Sequence, residues 1–148
     1  MSKQQVSFFW FRRDLRLEDN VGLFHALKSK YTVIPLFIFD DAILDSLPYN
    51  DPRVGFIYEN LSKINTQLLK IESALLVKKE KTLAVWELLL TEFDIKEVFF
   101  NKDYEPYAIK RDSAICELLE TNNAIPFSFK DQVIFEEKEI TKADGLPY

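Results

Sequence analysis

The chain has 148 residues, 47% of them apolar and thirteen of them Phe, which is enough for one domain with a core of its own. Its net charge is −5, from 19 basic and 24 acidic side chains, whereas a nucleic-acid-binding surface carries the opposite balance, so this chain taken alone is a poor DNA or RNA binder. Three glycines argue against a glycine-rich phosphate cradle, and a single His and a single Cys exclude most triad and metal constellations. No stretch approaches the roughly 20 apolar residues of a membrane span. The N-terminus lacks the pattern of a signal peptide, and the lone Cys116 fits a reducing cytoplasm.

Val6 to Phe11 predicts a buried strand, apolar on both faces except for Ser7. It runs directly into Arg12, Arg13, Asp14 and Arg16, a charged loop whose purpose is the main question the sequence raises. Asp19 or Asn20 can cap a helix through Val21, Phe24, Leu27 and Lys28. Thr32 to Asp40 is a second strand, with Pro35 tolerable near its start or at a bulge. From Arg53, apolar residues recur at Val54, Ile57, Tyr58, Leu61, Ile64, Leu68 and Ile71, the spacing of one helical stripe. Ala74 to Lys79 is a third strand, and Leu83, Trp86, Leu89, Leu90 and Phe93 repeat the helical period. Glu97 to Asn101 is a fourth strand. Pro106 then suits the first turn of a helix burying Ile115, Leu118 and Leu119. Ile125 to Asp131 is a weaker fifth strand, and the stretch from Lys138 has no clear period and predicts the start of a connection.

Apolar strands alternating with helices predict a three-layer α/β/α domain around a five-stranded parallel, Rossmann-like sheet. In such sheets ligands bind beyond the carboxyl ends of the strands, where strand order reverses. With the first strand central, the crevice lies between strands one and four, faced by Arg12, Arg13, Asp14 and Arg16 on one side and by Asn101, Asp103, Tyr104 and Glu105 on the other. Taken singly, each charged residue reads more readily as a loop-tying ion pair, with Asp40, Asp103 or Glu105 as partners, than as a ligand contact. Arg53 reads as a structural anchor, His25 as surface or packing, Cys116 as a small apolar side chain, and Trp10 and Trp86 as core.

The stretch WFRRDLRLEDN, Trp10 to Asn20, resembles the opening signature of the photolyase/cryptochrome family. The resemblance continues through VIPLFIFDD, PRVGFIYENLSKINTQL, NKDYEPYAIKRD and the closing GLPY, in the family's order and spacing over essentially the whole chain. It implies the N-terminal α/β domain, residues 1–135, of a deoxyribodipyrimidine photolyase, with 136–148 starting a linker to a helical domain. In the family that helical domain holds FAD, contacts damaged DNA and performs light-driven repair, so these 148 residues alone would be cytoplasmic and non-catalytic, with the helical domain as their partner.

The resemblance also implies an antenna chromophore in the α/β domain. Trp10, Phe11, Arg12, Phe39, Arg53, Phe56, Asp103, Tyr104 and Glu105 are the residues it assigns to that chromophore, and Arg13, Asp14, Arg16 and Asn20 those it assigns to the loop and the facing domain. Folate-binding members carry an Asn-Glu pair where Tyr107 and Ala108 stand here, and DYEPY is closer to members with deazaflavin or flavin antennas. Deazaflavin or FMN is therefore expected ahead of folate. Two alternatives use the same fold: a cryptochrome photoreceptor, and a stand-alone nucleotide-binding module, which the missing glycine-rich loop disfavours.

Overall fold

The computed structural model describes residues 2–12, 14–40 and 51–130. Among these residues five strands alternate with four helices: β1 (Gln5–Phe11), α1 (Val21–Ala26), β2 (Thr32–Asp40), α2 (Pro52–Leu69), β3 (Leu76–Glu80), α3 (Thr82–Glu92), β4 (Asp94–Asn101), α4 (Pro106–Thr121) and β5 (Ile125–Phe129). Every strand pairing is parallel, as the sequence predicts, and the order is β3-β2-β1-β4-β5, which matches the central β1 assumed for the crevice. The chain therefore winds outward from the central β1 through β2 to β3, crosses back to β4, and continues to β5.

Right-handed crossovers require the two directions of travel to place their helices on opposite faces. They do so here. Leu23 and Ala26 of α1 and Leu61, Ile64 and Leu68 of α2 pack with Phe9, Phe11, Phe37, Phe39 and Phe99 on one face. Val85, Trp86 and Leu89 of α3 and Ile115 and Leu119 of α4 pack with Phe8, Trp10, Leu36, Val98 and Phe100 on the other. Alternation along β1 sends Phe8 and Trp10 one way and Phe9 and Phe11 the other.

Several boundaries differ from the sequence expectation for physical reasons. Asn20 caps α1, its side-chain oxygen accepting the Leu23 N–H at 3.1 Å, but the helix is only one and a half turns long and stops before Leu27. The apolar stripe of α2 is buried only from Leu61 onward; Val54 and Ile57 are half-covered, Tyr58 is exposed, and Ile71 lies beyond the helix end. The edge strands β3 and β5 are half-exposed, where the sequence suggested full burial, and β5 ends at Phe129. Lys78, Lys79 and Glu80 on β3 are the charges that keep such an edge from pairing with other chains.

Ser7, the polar interruption in β1, sits where the β1–β4 register shifts, with Lys96 the additional residue. Its hydroxyl lies 3.0 Å from both Ser29 Oγ and Glu97 Oε1, so the buried group is satisfied at the amino end of the sheet. His25 stacks flat on Phe129 at 4.4 Å, a packing role.

Candidate functional site

At the carboxyl ends of β1 and β4, polar groups of the protein bond to one another across the crevice. Asn101, the last residue of β4, is buried and sits at their centre. Its amide nitrogen donates to the carboxylate of Asp14 and, at 2.8 Å, to Asn20 Oδ1. Its amide oxygen accepts the Gly22 N–H at 2.8 Å. Only a glycine lets the start of α1 approach this closely, since a Cβ at position 22 would stand 2.7 Å from Asn101 Oδ1 and 2.9 Å from the Phe9 ring. Asp14 in turn accepts the Arg12 N–H at 2.8 Å, and Asn20 donates to the Arg16 carbonyl at 3.0 Å. The β1–α1 loop is thereby fastened to the end of β4.

Arg12 is buried and turned toward the α3/α4 face. Its guanidinium donates to Asp112 of α4 and to the Asn101 carbonyl, and it lies 4.9 Å over Trp10 and 4.7 Å over Phe100. Burial pushes its pKa down, opposed chiefly by the Asp112 carboxylate. The ion pair that the sequence suggested between this loop and Asp40, Asp103 or Glu105 is, for Arg12, made instead to Asp112, one hundred residues away. Arg16 donates twice to the Asp19 carbonyl, at 3.0 and 3.1 Å, while Arg13 lies outside the described residues.

Trp10, expected at the chromophore beside Phe11, lies in the core of the other face, 2% exposed and edge-on to Trp86 at 5.5 Å. The pleat makes this unavoidable, because neighbouring residues of one strand cannot face the same side. Asp40, at the end of β2, accepts from Thr82 Oγ1 at 2.7 Å and from Tyr107 Oη at 2.8 Å, tying the first turns of α3 and α4 together. Asp103 is buried and accepts the Glu105 N–H at 3.2 Å; Tyr104 is half-buried and Glu105 exposed.

The α1/α2 face has a different character at the same end. Phe11 and Phe39 are buried there, and Tyr58 stacks on Phe39 at 4.8 Å with ring planes 29° apart while remaining 55% exposed. Two residues earlier on α2, about half a turn away and so on another side of the helix from Tyr58, Phe56 is 66% exposed, and nothing lies within 4 Å of a Cβ built on Gly55. Arg53 is exposed and chelates Asp51, the cap of α2, holding that carboxyl down at about 2. The structure thus groups Phe11, Phe39, Arg53 and Phe56 on one side of the sheet and separates them from Trp10 and Arg12. Among the described residues no cluster of His, Cys, Asp and Glu could hold a metal.

Sequence reading missed Asp112, Arg111, Tyr58 and the central role of Asn101. Asn101 had a signal, a polar amide ending an apolar strand opposite a charged loop. Asp112 had none.

A DNA photolyase family model matches residues 7–148. The chain belongs to the DNA photolyase family. It is 31% identical over 140 residues to a deoxyribodipyrimidine photo-lyase of Synechococcus, an alignment covering 95% of this chain and 29% of that protein. It is 28% identical over 147 residues to Cryptochrome-1 of Anopheles gambiae, covering 94% of this chain and 27% of that protein. Among solved structures, the archaeal photolyase from Sulfolobus tokodaii, described with two FAD molecules and an implied novel light-harvesting cofactor, superposes with a TM-score of 0.77 at 30% identity, covering 94% of this chain and 32% of that one. The chain spans less than a third of the length of these photolyase-family proteins.

Proposed function

We propose that this chain is the light-harvesting α/β portion of a deoxyribodipyrimidine photolyase, with residues 1–135 as the domain and 136–148 leading toward a FAD-bearing helical domain that contacts damaged DNA. The observation that carries the reading is the coverage: similarity extends over 95% of this chain yet over only 29% of a photolyase. Its acidic balance agrees, since DNA contact then belongs elsewhere in the protein.

The α1/α2 face fits a planar antenna chromophore better than the β1/β4 crevice, because the crevice's polar groups are bonded to one another. Arg53 and Phe56, three residues apart on α2, present a charge and an exposed ring on one side of that helix, while Tyr58 on another side stacks on Phe39; apolar rings with a charge beside them are the composition that binds a flat, polar-rimmed ligand. When bound, such a group absorbs light and passes the excitation on. The protein's part is to hold the ring, exclude water from its faces and fix its orientation. A flavin or deazaflavin is favoured over folate by Tyr107 and Ala108, and the second flavin of the Sulfolobus tokodaii photolyase supports that choice.

Titrating the chain with FMN, a reduced deazaflavin and a folate tests this. Perturbed emission for FMN or the deazaflavin, with none for the folate, is the expected result; no change for any of them leaves a purely structural partner domain. Irradiating the chain with added FAD should split no pyrimidine dimers, and measurable repair would overturn the division of labour. The cryptochrome similarity favours a second reading, a photoreceptor built on the same domain, which repair by the complete protein would exclude.

A further inference from the structure

Both tryptophans of the chain are in contact with each other, and the charges around them are unusual. Trp10 and Trp86 meet edge-on at 5.5 Å, with no more than 2% of either exposed. Two guanidinium groups lie against the same indole: Arg12 at 4.9 Å and Arg111 at 5.2 Å from the Trp10 ring centre. One carboxylate, Asp112, pairs with both, at 3.3 Å from Arg111 Nε and in contact with Arg12. Asp14 is the next acidic group acting on Arg12, and it is itself engaged by the Arg12 N–H and the Asn101 amide. The Trp86 Nε1–H, fully buried, has no acceptor among the described residues.

A cation over an indole is stabilised by the electron-rich ring. When the ring loses an electron that attraction becomes repulsion between like charges at close range, where little water screens it. An indole radical cation is also drained by losing its N–H proton, and among the described residues no acceptor meets the Trp86 Nε1–H. Burial, two adjacent cations and a missing proton acceptor all oppose electron loss from the pair. We propose that Arg12 and Arg111 guard Trp10 and Trp86 against one-electron photo-oxidation, making them poor donors to excited flavin. This assigns Arg111 a positioning role that its sequence neighbourhood does not suggest. The relevance of the guard rests on the light-harvesting reading above, but the electrostatic effect itself is testable without a bound chromophore.

The test is irradiation of the protein in air with free FMN as sensitiser. Excited FMN takes one electron from an indole, giving a flavin radical and an indole radical cation. The radical cation loses its N–H proton to give a neutral indolyl radical, and the flavin radical passes its electron to O2, which restores FMN and gives superoxide. Superoxide and a proton combine with the indolyl radical as a C3 hydroperoxide, which opens the C2–C3 bond to N-formylkynurenine. Peptide mapping reads N-formylkynurenine separately at positions 10 and 86, and acrylamide quenching of tryptophan emission reports access. Arg111→Leu should raise oxidation at position 10 several-fold with acrylamide access unchanged, and Arg111→Lys, which keeps the charge, should stay near the wild type. Asp112→Asn, which removes the compensating negative charge, should slow it. Loosened packing would instead accelerate oxidation in both Arg111→Leu and Asp112→Asn and raise acrylamide access with it. That pattern, or oxidation equal in Arg111→Leu and wild type, overturns the proposal. Failure of every chromophore in the binding titration to perturb emission would remove the light-harvesting reading and leave this result standing or falling on its own.

Discussion

The two walls at the carboxyl end of the sheet carry similar residue types and use them in opposite ways. On the β1/β4 side, Arg12, Asp14, Asn20 and Asn101 are buried and bonded to one another, to Asp112 and to Gly22. On the α2 side, Arg53, Phe56 and Tyr58 are largely exposed, and among the described residues Arg53 bonds the cap aspartate and Tyr58 stacks on Phe39. A dense charged motif in the sequence thus marks the more rigid wall, and the sparser aromatic one keeps surface free for a ligand. Buried polar groups must find partners within the protein, and once they have, little capacity remains to recognise anything else.

The comparison breaks most sharply at Asn101. Asn101→Ala removes the acceptor of the buried Gly22 N–H and the donor to Asp14 and Asn20 together. Leaving buried polar groups unsatisfied costs about 1–3 kcal/mol each, so a loss of roughly 2–4 kcal/mol in urea unfolding is expected after some relaxation. A loss below about 0.5 kcal/mol would show that the network is surface decoration and the crevice open after all.

Tyr107 tests the same wall more gently. Tyr107→Phe deletes the bond to Asp40, worth about 1 kcal/mol in a half-exposed setting. Burial, followed by the Asp40 bond and charge, raises the phenol pKa. The folded state therefore holds this proton more tightly than the unfolded chain does. Its contribution is complete below an ordinary phenol pKa of about 10 and is lost as pH rises through the higher folded value. Stability measured by denaturation should fall more steeply above about pH 10 in the wild type than in Tyr107→Phe. Parallel profiles would mean that the phenol does not face the carboxylate in solution.

Why one wall was legible in the sequence and the other was not follows from the range of the interactions. The parallel sheet, the helix layers on both faces and a cap at Asp19 or Asn20 follow from periodicity and local capping, so they could be read in advance, whereas strand order had to be assumed. The side of the sheet to which Trp10 points depends on the alternation within a strand buried on both faces, where an apolar run gives no contrast between the two sides. The Arg12–Asp112 pair joins residues a hundred positions apart, and nothing local in a helix announces which carboxylate will meet a distant loop. The bare first turns of α2 were hidden for a related reason. Val54, Ile57 and Tyr58 continue the apolar spacing of a buried stripe, and the stripe itself does not say where its cover ends.

The smallest expected effect on folding comes from the open wall, and it separates binding from stability. Phe56→Ala truncates a ring that is 66% exposed and packs on little, so stability should change by no more than about 0.5 kcal/mol. If this face receives the chromophore, the same substitution removes one apolar surface from the ligand, and FMN or deazaflavin affinity should drop about tenfold, equivalent to roughly 1.4 kcal/mol. Asn101→Ala should do the reverse, weakening the fold while altering chromophore affinity only in proportion to the unfolded fraction. A Phe56→Ala variant that binds as tightly as the wild type would place any antenna away from the first turns of α2 and return attention to the β1/β4 wall.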